Sequence, residues 1–159
     1  MARKLRIGWF TFTCSGDSSI ILLELLNKNF FEWKKKIDFK YFKYLKSKNK
    51  LNNLDVAFVE GAISNNFEEK KLKEIRKNCK KLVAVGSCAI TGYPAAQRNK
   101  FDLALKKEIK PILKEHGLWP QVKRLDEIVK IDDKVPGCPM DPKIFIETLN
   151  EYLKFKELI

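Results

Sequence analysis

The chain has 159 residues, 45% of them hydrophobic and 33% charged, which is typical of one globular domain, here expected to span residues 1–159. The longest apolar run, 20–26, is too short for a membrane span, and residues 1–4 lead into a strand pattern without a signal sequence, so we expect a cytoplasmic protein. The net charge of +12 comes from lysines interleaved with acidic residues, which favours a solvated surface or an acidic protein partner over nucleic-acid binding.

Hydrophobic periodicity predicts strands and helices that alternate along the chain. The predicted strands are 5–13, 37–45, 54–60, 81–86 and a short one around 128–131, and the predicted helices are 18–36, 66–78, 101–116 with an interruption at Pro111, and 142–156. The segments 47–53 and 87–100 are expected to be irregular. Such alternation predicts an α/β fold in which a doubly wound, mostly parallel sheet carries helices on both faces.

Three cysteines follow predicted strands. Cys14 comes after the first strand, Cys88 after the strand 81–86, and Cys138 after the run 127–135 and a Pro-Gly turn. Because the carboxyl ends of parallel strands line one crevice, these thiols should meet there. Three converging thiols in a chain expected to be cytoplasmic point to metal ligands, above all for an iron–sulfur cluster.

The first of these loops reads Thr-Cys-Ser-Gly-Asp-Ser-Ser, from Thr13 to Ser19. Gly16 permits a tight turn with inward-pointing backbone amides. Asp17 occupies the position of the second cysteine in a C-x-x-C motif. It is interpreted either as the N-cap of the following helix or as a fourth ligand to iron, and we favour the ligand slightly.

The other two cysteine loops contain residues that restrict or free the backbone around the thiol. Gly86 precedes Cys88 by two residues, and Gly137 and Pro139 flank Cys138. Alone, Cys88 is best explained as a small buried residue at a strand end, and the Cys138 loop as a structural turn. That turn explains the glycine and prolines but does not require a thiol.

Three further residues are candidates for the site. Glu60 ends a strand at the same predicted edge and is a surface residue, a hydrogen-bond anchor or a proton-handling group. Cys79, near the end of a predicted helix, is expected to be an unligated thiol, and His116 to be a helix C-terminal residue. The sequence contains no Ser-His-Asp set, Walker loop or G-x-G-x-x-G motif.

The order of these motifs resembles a known family. Cys14-x-x-Asp17, Val-Glu-Gly-Ala-Ile at 59–63, Gly-Ser-Cys-Ala at 86–89 and Pro-Gly-Cys-Pro at 136–139 occur in this order in the small subunits of [NiFe] hydrogenases. The cluster-bearing 20 kDa subunit of respiratory complex I has the same layout. The resemblance extends over nearly the whole chain, and the four motifs are specific only in combination.

The resemblance implies a flavodoxin-like fold that carries one proximal [4Fe–4S] cluster. Its ligands would stand at Cys14, Asp17, Cys88 and Cys138, with Glu60, Gly86, Gly137 and Pro139 in the cluster-binding region. The resemblance also implies a large partner subunit that holds nickel and iron and exchanges electrons with the cluster. Further electron-transfer subunits or a soluble carrier would then complete the path.

The chain departs from the family pattern at several places. Asp17 stands where the family has a cysteine, which leaves the ligation of the cluster open. Thr13 precedes Cys14, whereas the complex I subunit has two adjacent cysteines there, so the hydrogenase branch fits better. No second, ferredoxin-like cluster domain is expected. A complex I-like electron carrier and a cluster-free interaction or nucleic-acid module of the same fold remain the alternatives.

Overall fold

A computed structural model of the chain describes residues 3–155, for Phe155 the backbone only. The strands are β1 (Leu5–Thr11), β2 (Ile37–Phe42), β3 (Leu54–Glu60), β4 (Cys79–Val85) and β5 (Asp133–Val135), and the helices are α1 (Asp17–Lys36), α2 (Asn66–Asn78), α3 (Gly86–Thr91), α4 (Leu103–Glu115) and α5 (Pro142–Phe155). Gln97–Lys100 and Leu125–Glu127 form short 3₁₀ turns.

The five strands form one sheet in the order β2-β1-β3-β4-β5, and all four neighbouring pairs are parallel. This is the flavodoxin-like doubly wound order, in which the chain reverses its direction of winding beside β1. The predicted fold class is therefore confirmed. The carboxyl ends of the strands lie at one edge of the sheet, where ligands of such folds bind.

Alternate residues of the central strands contribute side chains to two hydrophobic cores, one on each face of the sheet. On one face Trp9 and Phe58 pack with helices α1 and α5, and Phe145 of α5 meets the ring of Trp9 edge-on at 6.0 Å between centroids. On the other face Phe10 and Val59 pack with α2. Burial of both faces explains why β3 reads as an uninterrupted apolar run apart from its two carboxylates.

Several predicted boundaries are wrong, each for a local reason. No strand forms at 128–131, because these apolar residues pack individually against the α2 face, and the fifth strand lies at Asp133–Val135. The segment 87–100 contains α3 and a 3₁₀ turn. Helix α4 continues through Pro111, where the ring costs one internal hydrogen bond without ending the helix.

Cys79 is the C-cap of α2, so it lies at the end of a helix as predicted, and it is also the first residue of β4. Its thiol lies at the amino end of the strand, opposite the edge where Cys88 follows the carboxyl end of the same strand. His116 is the C-cap of α4, as predicted. The closing helix begins at Pro142 as expected, but the predicted last residue, 156, lies outside the described residues.

Candidate metal centre

The three cysteine loops meet at the carboxyl edge of the sheet. One pocket there is lined by all eight residues predicted to bind a cofactor, namely Cys14, Asp17, Glu60, Gly86, Cys88, Gly137, Cys138 and Pro139. Residues separated by up to 125 positions, from Cys14 to Pro139, therefore share one surface. The pocket is narrow, about 20 Å³, which is room for about one water molecule.

The first loop turns at Gly16, whose φ of 82° lies in the left-handed region. Gly16, and not Asp17, is the N-cap of α1, and Asp17 is the first residue inside the helix. The interpretation of Asp17 as the cap is therefore wrong. Its exposed carboxylate accepts a hydrogen bond from Ser15 Oγ at 2.9 Å and faces the pocket rim.

The base of this loop is fixed by Thr13. Its backbone N–H donates to Ala62 O at 3.0 Å, and Ala62 N–H donates back to Thr13 O at 2.9 Å. The Thr13 hydroxyl also donates to the carboxylate of Glu68, at 2.9 Å to Oε1. Cys14 is thus attached to the loop after β3 on its backbone side, which restricts the directions in which its thiol can move.

The second loop is the start of α3. Cys88 is the third residue of this helix and is 8% exposed. Gly86 adopts a φ of +80°, and a Cβ there would stand 3.2 Å from Ser18 Oγ. A side chain at position 86 would therefore push against the first loop as well as strain the backbone.

The third loop is bonded to both others. Ser87 N–H donates to Gly137 O at 2.7 Å, and Met140 N–H donates to Ser18 Oγ at 3.2 Å. A Cβ on Gly137, which has φ +117°, would overlap the carbonyl oxygen of Pro139. The peptide bond between Cys138 and Pro139 is cis. Cys138 itself is exposed, so this loop forms the outer wall of the pocket.

Glu60 is a hydrogen-bond anchor beneath the pocket. Its carboxylate is buried, at 2% exposure, and accepts hydrogen bonds from Thr11 Oγ1 at 2.8 Å and from Ser19 Oγ. Ser19 Oγ in turn accepts a hydrogen bond from Trp9 Nε1 at 2.8 Å. Of the three interpretations of Glu60, the surface residue is wrong, and these bonds support the anchor.

Sequence reasoning missed the hydroxyl residues of the site. Ser18 joins the first and third loops, and Thr11 and Ser19 hold the carboxylate of Glu60. In the sequence, the Ser-Ser pair indicates only the opening of a helix. One sequence feature could have indicated their role. Both serines fall in the first turn of a predicted helix that directly follows a cysteine loop, so their side chains can reach the edge of the sheet.

Burial and neighbouring negative charge oppose ionisation of the thiols. Burial, followed by the charges of Glu60, Cys88 and Asp17, raises the pKa of Cys14 to about 12, although a backbone hydrogen bond from Gly16 works against the shift. Burial also raises the pKa of Cys88, with smaller contributions from the charges of Cys138 and Glu60. The residues that line the pocket include no Lys, Arg or His to offset this.

This donor set is chemically suited to iron. Thiolates are the ligands of iron–sulfur clusters, and a positively charged metal centre is what stabilises several thiolates in one place. Within residues 3–155 no three Cys, Asp, Glu or His side chains are arranged to bind a single metal ion. A cubane cluster differs from a single ion because its four ligands bind four separate iron atoms, so the donors stand farther apart.

One known protein family matches the part of the chain that forms this site. A family model described as "NADH ubiquinone oxidoreductase, 20 Kd subunit" matches residues 14–152, from the first site cysteine to the last part of α5. The chain belongs to this family. The match includes all the loops that line the pocket, so the candidate metal centre lies within the part of the chain that defines family membership.

Curated proteins that are similar in sequence to this chain include hydrogenase subunits. A subunit of the F420-non-reducing hydrogenase of Methanothermobacter marburgensis is 29% identical over an alignment that covers 99% of this chain and 56% of the relative. The delta subunit of the NAD-reducing hydrogenase HoxS of Cupriavidus necator is 30% identical, covering 60% of this chain and 54% of the relative. The chain spans about half the length of the curated relatives that it matches.

Solved structures share the fold. The chain superposes on a chain of an NAD⁺-reducing [NiFe]-hydrogenase in the H₂-reduced state with a TM-score of 0.82 and 23% identity, covering 95% of this chain and 92% of that one. A [NiFeSe]-hydrogenase chain of Dm. baculatum gives a TM-score of 0.66 at 19% identity, covering 94% and 62%. Among residues 3–155, none of the helices has the length and apolarity that a membrane crossing requires.

Proposed function

We propose that the chain is the electron-transfer small subunit of a [NiFe] hydrogenase. In this proposal Cys14, Cys88 and Cys138 bind one [4Fe–4S] cluster as thiolates, and Asp17 completes the ligand set. The chain has no catalytic residues for hydrogen chemistry of its own. It relays electrons to or from the nickel–iron site of a large catalytic partner.

The observation that carries the proposal is the convergence of three thiols and one carboxylate from three separate loops on a single pocket. A structural turn or a buried small residue explains each cysteine alone but gives no reason for all three to meet. The names of the relatives in Methanothermobacter and Cupriavidus add the hydrogenase context.

Each group around the pocket has a distinct part in this role. The cluster, when bound, supplies a one-electron relay. Cys14 follows Thr13, whose backbone is bonded to Ala62, and Cys88 lies in the helix after β4, whereas Cys138 lies on the exposed third loop. Glu60, whose carboxylate accepts a hydrogen bond from Thr11, fixes the floor of the pocket.

The proposal includes the surroundings of the chain. The exposed loops at the carboxyl edge of the sheet face the large subunit, which brings its metal site within tunnelling distance. Electrons continue to further electron-transfer subunits or to a soluble carrier. The complex is proposed to be cytoplasmic and to bind no nucleic acid.

The proposal is tested on the chain co-expressed and purified anaerobically with its candidate large subunit. Iron and acid-labile sulfide are measured, and the dithionite-reduced complex is examined by EPR. About four acid-labile sulfides per small subunit, about four irons in excess of those on the large subunit, and a reduced-cluster signal are expected. Absence of acid-labile sulfide and of this signal would overturn the cluster assignment and leave a structural role for the fold.

A complex I-like electron carrier is the second candidate, and the description of the matching family model favours it. Both candidates predict a cluster on this chain, so iron content does not distinguish them. Nickel content of the large partner does, because only a hydrogenase partner binds nickel. One nickel per complex supports the hydrogenase, and nickel-free complex with an intact cluster supports the complex I-like carrier.

A cluster-free interaction domain is the third candidate. The replacement of a family cysteine by Asp17 and the narrowness of the pocket favour it. This candidate predicts colourless protein even after anaerobic reconstitution with iron and sulfide. If the domain binds nucleic acid, that binding should weaken as salt is added.

A further inference from the structure

Helix α4 (Leu103–Glu115) contributes no buried residue to the fold. Leu103 is 87% exposed, Ile112 54% and Leu105 44%. In a doubly wound fold the helix between two neighbouring strands normally covers the sheet. Here α4 connects β4 to β5 without doing so, and its apolar side chains remain in contact with solvent.

Hydrogen bonds join the residues just before α4 to the residues just after it, and these bonds form the base of the segment that carries the helix. The Asn99 side chain donates to Val122 O and accepts from Val122 N–H, each at 2.8 Å. Arg98 donates from its guanidinium to Trp119 O at 3.0 and 3.1 Å. Residues 100–118, here called the arm, therefore project from a fixed base, and their position does not depend on burial of α4 in the core.

A groove of about 530 Å³ runs along one side of α4. Its apolar lining comes from Ile109, Leu113, Leu118 and Pro120, and its rim from Lys106, Lys110 and Lys114. These lysines follow one another every four residues, so they form one stripe about 12 Å long on the helix surface. No carboxylate lines the groove.

The stripe is not neutralised within the chain. Across residues 3–155, Lys106, Lys110 and Lys114 take part in no salt bridge. An apolar channel bordered by unpaired lysines at helical spacing is complementary to a helix that has an apolar face and carboxylates every four residues.

We propose that the arm is a docking surface for an acidic amphipathic helix of a partner protein. The apolar face of that helix would fill the groove beside Ile109 and Leu113, and its carboxylates would pair with the three rim lysines. Pairing in this register aligns the partner helix along the stripe, whereas the apolar lining alone would not set its position.

Other occupants match the groove less well. A second copy of this chain carries a net charge of +12 and would bring further positive charge to the lysine stripe. A nucleic acid would satisfy the lysines but leave the apolar lining of the groove against phosphate and sugar. The acidic helix satisfies both features of the surface.

The base of the arm is joined by packing to the candidate metal centre. Val122, to which Asn99 is bonded at this base, packs in one hydrophobic cluster with Ala96 and Cys88. The docking proposal itself rests on the groove and its charges and does not require a cluster in the pocket.

The test uses the full chain and a fluorescently labelled designed peptide of about 15 residues, with leucines on one helical face and three glutamates spaced by four. Fluorescence anisotropy should detect saturable binding that weakens with added salt.

The triple variant Lys106→Glu, Lys110→Glu, Lys114→Glu should weaken binding about tenfold or more. Ile112→Ser should leave binding intact if the apolar anchor is confined to the groove side, whereas Ile109→Ser should weaken it.

Two matched controls give the test its specificity. The variant Lys28→Glu, Lys70→Glu, Lys77→Glu makes the same charge change on helix positions elsewhere and should bind as the parent does. A peptide with the same glutamates but serine in place of leucine should not saturate. Equal loss in both triple variants, equal binding of both peptides, preferential binding of a DNA duplex, or self-association through the groove would each overturn the proposal.

Discussion

Thr11 and Glu60 are direct partners across the parallel strands β1 and β3, and the Thr11 hydroxyl donates to the Glu60 carboxylate at 2.8 Å. The pair stands at the last registered position of both strands, where the sheet ends and the cysteine loops begin. A buried carboxylate is retained in a fold only when such donors satisfy it. The pairing of β1 with β3 thus fixes the floor of the pocket independently of any cofactor.

Loss of the Glu60 carboxylate should destabilise the fold. Glu60→Ala leaves the hydroxyls of Thr11 and Ser19 without their acceptor and is expected to lower the free energy of unfolding by about 2 to 3 kcal/mol. Glu60→Gln keeps the shape and should cost less. Anaerobic urea denaturation measures both, with exposed Glu147→Gln as a control expected within about 0.5 kcal/mol of the parent. Equal stability of Glu60→Ala and the control would contradict the anchor.

Asp17→Cys is expected to give a cluster that loses iron more slowly to a chelator, because thiolate is a softer ligand than carboxylate and suits iron–sulfur clusters better. The reduction potential should also shift. The measurement is iron release under anaerobic conditions together with a redox titration followed by EPR. If the midpoint, the spectra and the release rate all remain those of the parent, Asp17 is not a ligand.

The two buried cysteines of the β4 region should respond differently to substitution. Cys88→Ala is expected to abolish or strongly reduce iron binding, whereas Cys79→Ala, at the other end of the same strand, should retain the full iron content. Both replace a buried thiol by the same smaller side chain, so in the iron-free protein each should lose about 1 kcal/mol of stability. Iron loss in Cys79→Ala with retention in Cys88→Ala would contradict the proposed ligand set.

Asp55 should make stability depend on pH at the amino edge of the sheet. Burial alone would raise the pKa of this carboxyl, but hydrogen bonds and charge from Arg6, with the charge of Arg3, lower it to about 2. Because the folded pKa lies below the ordinary value of 3.8, this stabilisation is complete above about pH 4 and is lost as the pH falls toward 2.

The measurement for Asp55 is urea denaturation of Asp55→Asn between pH 2 and pH 7. The variant should be less stable by about 2 kcal/mol at pH 7 and should lose less stability on acidification than the parent. Asp38→Asn removes a partly exposed pair with Lys40 and should change stability by about 0.5 kcal/mol or less. An unchanged pH profile in Asp55→Asn would contradict the assignment.

Much of the fold was predictable because burial on both faces leaves a strong pattern. The apolar run of β3 and the amphipathic spacing of α2 define those elements to the residue. The three-residue strand β5 has two exposed positions and no such pattern, so the more apolar residues near Ile131 suggest a strand in its place. Its pairing depends on the neighbouring strand β4, which local sequence does not encode.

The convergence of the cysteines was predictable from topology, since parallel strands bring their carboxyl ends to one edge. The hydrogen bonds around Glu60 were not, because they join residues on β1, α1 and β3 whose relative rotation is determined only by packing. The exposure of α4 was not predictable either. Its amphipathic sequence is that of a helix packed on a core, and only the structure reveals that none of its residues is buried.

The separation of Cys14 from Cys138 along the chain has a consequence for synthesis. At 5–20 residues per second, a ribosome needs about 6 to 25 s to add the 124 residues from Ser15 to Cys138. During that interval Cys14 has no third loop to enclose it, and Ser18 has not yet met Met140. The earliest thiol is therefore unprotected in the nascent chain, and a complete set of donors is available only after translation has passed the last loop.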